Sequence, residues 1–219
     1  MRSMRGLKAS AIILAGGTSR RIGKSKARLV IGGVSMLERV ARAVGAVCDE
    51  TIVAGRLESA EAWPQLDAKW VDDPPDIAGP VAGLIAGLRV ASNDTCLVVA
   101  CDMPFLNPEL LEHLLETSVS HDAAVPRINS RAQSLHAAFS RSCHRRLKAL
   151  VVSGSPSMQS ILERLDVHWV DEATCRSIDP RGLSWFNVNT PDDLERAREV
   201  ASWGLSAQGF ACETGVRGR

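Results

Sequence analysis

The sequence predicts an α/β fold in three layers, a mostly parallel sheet covered by helices on both faces. Short apolar runs alternate with segments of helical period along most of the chain, the pattern of repeated strand–helix units. The strongest apolar run, Cys96 to Cys101, is continuous and does not alternate with polar residues, as expected of a central strand buried on both faces. With 219 residues and 45% hydrophobic content, one core can form without disulfide or metal staples.

Ala11 to Ala15 reads as the first strand. After a polar, Gly-rich loop, Ser35-x-x-Glu38 forms a capping box that opens a helix with Leu37, Val40, Ala41 and Val44 on one face. Thr51 to Ala54 and Lys69 to Val71 are the next strands. Val81, Leu84, Ile85 and Leu88 recur at helical spacing from Pro80 onward. Cys96 to Cys101 follows. Asn107-Pro108-Glu109 supplies an N-cap, an N1 proline and a first-turn acid for a helix carrying Leu110, Leu111, Leu114 and Leu115. Ala123 to Val125 and Leu135 to Phe139 are later strands. Between them Arg127-Ile128-Asn129-Ser130-Arg131 is expected to stay outside the core, as a functional loop or a plain turn. Helical segments over His144 to Val151 and Met158 to Leu165 precede a strand at Val167 to Val170. Thr190-Pro191-Asp192-Asp193 caps a last helix running to about Ala201.

Bulk charge names no partner, since 26 Lys and Arg offset 25 Asp and Glu. The distribution is more informative: eight basic residues and no acid precede Glu38, so an anion would be favoured near that segment. The six cysteines contain no C-x-x-C pair, which argues against a structural zinc site and fits a reducing cytoplasm. The apolar run at the start is too short for a signal peptide, and no run approaches the length of a membrane helix. The few aromatics are not interleaved with basic residues, so a nucleic-acid groove is not expected. His136 sits within an apolar strand and reads as a satisfied core histidine, and the five His form neither a metal cluster nor a triad.

Four segments could carry chemistry. Directly after the first strand comes Leu14-Ala15-Gly16-Gly17-Thr18-Ser19-Arg20-Arg21-Ile22-Gly23-Lys24-Ser25-Lys26. Its glycines let backbone N–H groups approach a ligand, and four cations over seven residues suit a polyphosphate. Two better-known phosphate loops do not fit: the glycines miss the G-x-G-x-x-G spacing, and Thr18 stands where a Walker A loop needs its first glycine. Asp102 leaves the carboxyl end of the central strand, where a carboxylate can hold a divalent cation against phosphates, although a turn or capping aspartate would look the same. Asp72-Asp73-Pro74-Pro75-Asp76 lies at another strand end, where a carboxylate could accept the N1–H and exocyclic amine of guanine; a Pro-rich turn is the plain alternative. In Phe186-Asn187-Val188-Asn189 alternation points both Asn side chains to one side, ahead of a helix N-terminus, to read a polar ligand edge or to cap.

The order LAGGTSRRIGKSKA, DDPPDIAGPVAGLIAGL, VVACDMPF, FNVNTPDDL, from about Ala11 to Arg198, resembles the molybdenum cofactor guanylyltransferases, within the wider group of Rossmann-like nucleotidyltransferases. The resemblance implies transfer of GMP from GTP to the phosphate of molybdopterin, with release of pyrophosphate and a requirement for Mg2+. It implies that Leu14, Ala15, Gly16, Gly17 and Lys26 hold the nucleotide, that Asp72 reads guanine, that Asp102 binds Mg2+ and GTP, and that Asn187 and Asn189 line the pterin side. Lys26 and Arg20 would stabilise the charge of the transition state and the departing pyrophosphate. Assignment of Asp72 rests on counting back from Gly79-Pro80, and a slip of one residue would exchange it for Asp73. The family usually reads Gly-x-Asp-Lys where this chain has Gly23-Lys24-Ser25-Lys26, which removes a carboxylate that could orient the lysine.

On this reading residues 1–203 are one nucleotidyltransferase domain with residues 1–9 as an N-terminal extension, and 204–219 are a flexible tail. GTP and molybdopterin are the substrates, a molybdoenzyme or molybdenum-insertion protein is a further partner, and the location is cytoplasmic. Other readings are molybdopterin cytidylyl transfer, sugar-nucleotide transfer, a non-catalytic nucleotide- or pterin-binding chaperone made plausible by Ser25, and a P-loop ATPase; Gly16 and Asp72 favour guanine.

Overall fold

The computed structural model describes residues 7–16, 25–55, 63–152, 154 and 157–209. In chain order the elements are β1 (Ala9–Leu14), a 3-10 turn (Lys26–Arg28), β2 (Val30–Ile31), β3 (Val34–Ser35), α1 (Met36–Gly45), β4 (Glu50–Ala54), β5 (Lys69–Val71), α2 (Pro80–Val90), β6 (Thr95–Ala100), α3 (Pro108–Ser118), β7 (Ala123–Ile128), β8 (Arg131–Ala132), β9 (His136–Ser140), α4 (Cys143–Val152), α5 (Met158–Leu162), β10 (Val167–Val170), α6 (Glu172–Ile178) and α7 (Pro191–Gly209).

The main sheet runs β10-β7-β9-β6-β1-β4-β5, with β8 beside β7, while β2 and β3 form a separate hairpin. All its main pairs are parallel except those of β9, which runs antiparallel to β6 and β7. The reversal follows from connection length. No helix intervenes between β7 and β9, so the chain has no room for a crossover and must return antiparallel.

β1 is the core of the sheet, and all six of its residues are buried. Ala11 and Ile13 face a cluster built with Leu37 and Val40 of α1, Leu110 of α3 and Cys175 of α6. Ile12 and Leu14 face a second cluster with Leu84 and Leu88 of α2, Leu147 of α4 and Ile161 of α5. Full burial of such a side chain is worth about 1.5–3 kcal/mol, which accounts for the unbroken apolar run from Ala11 to Leu14. Helix α2 lies unusually close to it, because a Cβ on Gly87 would fall 2.4 Å from Ile12 Cγ2.

After β1 the chain passes through α1 to β4 on one side, and after α2 it returns to β6 on the other side of β1. Such a reversal opens a crevice at the carboxyl ends of the strands, here β1 and β6. A third, smaller cluster closes one wall of it. There Leu29, Ile31 and Met36 pack against Val188, Leu194, Ala197 and Ala201, joining the β2–β3 hairpin to α7.

The capping box at Ser35 and Glu38 and the Asn107 cap form as expected. Four features differ from the sequence reading. Ala9, taken as part of an extension, already pairs with Thr95 in β1. Ile128 is buried in the core at 3% exposure although its neighbours are polar. It ends β7 pointing inward, Arg127 points out, and Asn129 and Ser130, with φ of 48° and 62°, make the tight turn into β8 as a type I′ hairpin requires. Helix α7 runs past Ala201 to Gly209. His136 is in the core, yet neither ring nitrogen has a hydrogen-bond partner among the described residues, and burial lowers its pKa to about 4 despite the nearby Asp179. The β2–β3 hairpin and the seven-residue α6 were not anticipated, both being too short to show a period.

Candidate active site

The crevice is built first from backbone. At the end of β1 the Leu14 carbonyl accepts from Cys101 N at 3.0 Å, and Ala15 N donates to the Ala54 carbonyl at 2.8 Å. These bonds fix the carboxyl ends of three strands side by side. Gly16 then emerges exposed, and Gly55, just past β4, lies against it. With φ of 136° and a hypothetical Cβ only 2.4 Å from Gly16 N, position 55 accepts no side chain. Gly17 and Arg20, expected to hold nucleotide and to stabilise charge, lie outside the described residues.

The side chains come from three distant parts of the chain. Lys26 sits on the 3-10 turn, anchored by the buried Ala27 and Leu29. Its ammonium donates to Asp102 Oδ2 at 2.9 Å and to Asn189 Oδ1 at 2.6 Å. Asp102 follows β6, and its carbonyl accepts from Val188 N at 2.9 Å, which draws the segment before α7 to the strand end. Asp193 completes the assembly. Its Oδ2 accepts the N–H groups of Asn189 and Thr190 at 2.9 and 2.8 Å, bonds that hold its carboxyl below the ordinary value, with Lys26 adding to the effect. Three of the expected residues, Lys26, Asp102 and Asn189, thus meet at one point although separated by up to 163 positions.

Other expected residues are placed differently. Asn187 turns back to donate to the Trp185 carbonyl at 3.0 Å and does not join Asn189. Asp72 is exposed, whereas Asp73 is partly buried and turns its carboxylate to the glycine wall: Cβ atoms added to Gly16 and Gly83 would lie 3.0 Å from its Oδ2 and 3.3 Å from its Oδ1. Of the two neighbouring aspartates, Asp73 is thus the one whose carboxylate faces the glycines at the strand ends. Ser25 caps the 3-10 turn without a side-chain hydrogen bond, and Lys26 takes its carboxylate partner from Asp102. The places of Gly55 and Asp193 at the site were missed; a glycine ending the strand Thr51 to Ala54 was the one available signal.

The arrangement suits chemistry on phosphate esters. Cys101 is no nucleophile, since burial, with the Asp102 charge beside it, pushes its thiol up to about 12. Among the described residues no three His, Cys, Asp or Glu side chains converge to hold an ion by themselves. The Asp102 carboxylate at the strand end, with Lys26 beside it, suits a hard divalent cation that draws its remaining oxygen ligands from phosphates and water.

An α/β sheet whose switch point carries a glycine wall, one carboxylate and one lysine has the architecture of a nucleotidyltransferase, and the family described as the MobA-like NTP transferase domain matches residues 11–170. A probable molybdenum cofactor guanylyltransferase from Pelotomaculum thermopropionicum is 38% identical over 89% of this chain and 94% of its own length, and one from Chloroflexus aggregans is 36% identical over 85% and 91%. The crystal structure of molybdopterin-guanine dinucleotide biosynthesis protein A from Archaeoglobus fulgidus superposes with a TM-score of 0.77 at 32% identity, covering 89% of this chain and 99% of that one. The chain belongs to the molybdenum cofactor guanylyltransferase family.

Proposed function

We propose that this protein transfers GMP from GTP to the terminal phosphate of molybdopterin, forming the guanine dinucleotide cofactor and pyrophosphate. The names of the relatives support the reaction, and the meeting of Lys26, Asp102 and Asn189 at the switch point is the observation that carries its assignment to a site. An oxygen of the acceptor phosphate attacks the α-phosphorus in line, the bond to the bridging oxygen breaks, and pyrophosphate leaves with the electron pair. No acid or base from the protein is required, so positioning and charge neutralisation account for the catalysis.

The triphosphate lies against the backbone of Leu14 to Gly17. Lys26 and Arg20 stabilise the equatorial oxygens and the leaving group, and Asp73, in place of Asp72, accepts from the guanine edge. Asn189 contacts the acceptor, and Asn187 is the second residue assigned to the pterin side. Asp102 holds Mg2+, which when bound neutralises phosphate charge and orients the oxygens. The described helices include none long and apolar enough to cross a membrane. A cytoplasmic enzyme handing its product to a molybdoenzyme or an insertion protein fits the family's chemistry and the free thiols of Cys48, Cys96, Cys101, Cys143 and Cys175.

Thermal unfolding with Mg2+ and each of GTP, CTP, ATP and UTP tests the reading. A ligand at a hundred times its Kd adds about 2.7 kcal/mol to stability. The expected result is a GTP-selective, metal-dependent rise that is absent in Asp102→Ala. A rise with CTP alone moves the protein to cytidylyl transfer, and GTP binding without pyrophosphate release makes it a non-catalytic carrier.

A further inference from the structure

The contact between Lys26 and Asp102 joins the residue expected to neutralise phosphate to the residue expected to hold metal. We propose that Lys26 is the resident counter-ion of Asp102, keeping bare divalent cations off the carboxylate, so that metal is admitted only together with a triphosphate that draws the lysine away. The proposal rests on the nucleotide reading above for the identity of the triphosphate, but the exclusion of bare metal concerns this chain's own residues.

The geometry makes the lysine hard to displace. Its ammonium makes two hydrogen bonds, to Asp102 Oδ2 at 2.9 Å and to Asn189 Oδ1 at 2.6 Å. The Lys26 and Asp102 side chains are only 22% and 19% exposed, so water screens the pair weakly and charge-assisted bonds there are strong. The backbone that carries Lys26 is pinned through Ala27 and Leu29, and Asn189 is pinned through Asp193. Asp193 is a second carboxylate within electrostatic reach of Lys26, and it is committed to the N–H groups of Asn189 and Thr190. A bare cation arriving at Asp102 must therefore either sit beside an ammonium or expel it toward a carboxylate already in use.

A triphosphate changes both terms at once. It brings several negative charges to which the lysine can transfer, and its oxygens complete the ligand set that Asp102 alone cannot provide. The same transfer releases the Asn189 side-chain oxygen, so the acceptor side of the crevice is uncovered only when the donor side is filled.

Mn2+ alone serves as the probe, with free Mn2+ followed by electron paramagnetic resonance on the full chain without nucleotide. Lys26→Gln is expected to bind Mn2+ at least tenfold more tightly than wild type, and Lys26→Arg, which keeps the charge, to stay like wild type. Lys26→Gln combined with Asp102→Asn should lose the gain. Equal Mn2+ affinity in wild type and Lys26→Gln overturns the proposal, as does a gain that survives in the double variant. Circular dichroism of each variant verifies folding, and Lys26→Met replaces Lys26→Gln if the latter does not fold. A separate arm adds GTP or CTP to wild type. If neither tightens Mn2+ while the metal-only arms behave as expected, the nucleotide reading falls and the exclusion stands. If GTP tightens Mn2+ while wild type and Lys26→Gln bind bare Mn2+ alike, the exclusion falls and the nucleotide reading stands.

Discussion

Two carboxylates at opposite ends of the same parallel strands show how similar groups are put to different uses. Glu50 opens β4 at the amino end of the sheet. It accepts from Lys69 Nζ, Ser10 Oγ, Ser92 N and Ser92 Oγ. Burial alone would raise its pKa, but these bonds together outweigh burial and bring it down to about 2. Asp102 lies beyond the carboxyl end of β6 and has one side-chain donor among the described residues, Lys26, which is itself shared with Asn189. The saturated carboxylate ties strands and loops together. The one at the mouth of the crevice, paired with Lys26 alone among the described residues, leaves its other oxygen for a ligand.

This contrast can be broken by experiment. Asp102→Ala should lower turnover by about 10³-fold or more, read as pyrophosphate release, while leaving the unfolding temperature nearly unchanged. A fall in stability without loss of turnover would reverse the roles of the two acids. Lys26→Gln should cost about 10²-fold in turnover, since the enzyme loses a transition-state charge but keeps its fold.

Glu50→Gln should do the opposite, lowering stability at neutral pH by about 1–3 kcal/mol with turnover preserved. Its pH dependence has a definite sign. The folded pKa is depressed, so the carboxylate's contribution is complete above the unfolded value near 4.5 and is lost as the pH falls toward about 2. In chemical denaturation the gap between wild type and Glu50→Gln should close over that window. The smallest effect is expected in base choice. Asp73→Asn should reduce preference for GTP over CTP by about tenfold, or about 1.4 kcal/mol, whereas Asp72→Asn should leave it within about twofold. Equal effects of the two would show that the carboxylate facing Gly16 does not read the base.

Much of the fold was legible because local signals agreed with the tertiary outcome. The continuous run ending at Cys101, the capping box at Ser35 and the proline-led helices at Pro80 and Pro108 each had a mechanism in the sequence. Ile128 was misplaced for a definable reason: four polar neighbours masked a single inward-pointing residue at the end of a strand. The donor residues of the site were legible from type and place, since a carboxylate ending a buried strand and a lysine in a glycine loop have few structural uses. Their meeting was not legible. That Lys26 bonds Asn189, that Asp193 aims Asn189, and that Asp73 and not Asp72 faces Gly16 depend on packing between segments with no shared periodicity. At position 136 a core histidine was expected to be satisfied but finds no hydrogen-bond partner among the described residues, because a sequence does not show whether a buried ring finds a donor or acceptor.

The third hydrophobic cluster also governs when the site can exist during synthesis. The strands and the buried residues of both large clusters lie no later than α6, but Lys26 meets Asn189, and the hairpin that follows its turn packs against α7, formed by some of the last described residues. A nascent chain can therefore complete its sheet before Asn189 is available, and the meeting of Lys26, Asp102 and Asn189 forms only after nearly all of the described chain has left the ribosome. A fragment ending with the matched region at residue 170 would contain every strand together with Lys26 and Asp102 but lack Asn189 and α7, and so the acceptor side of the crevice.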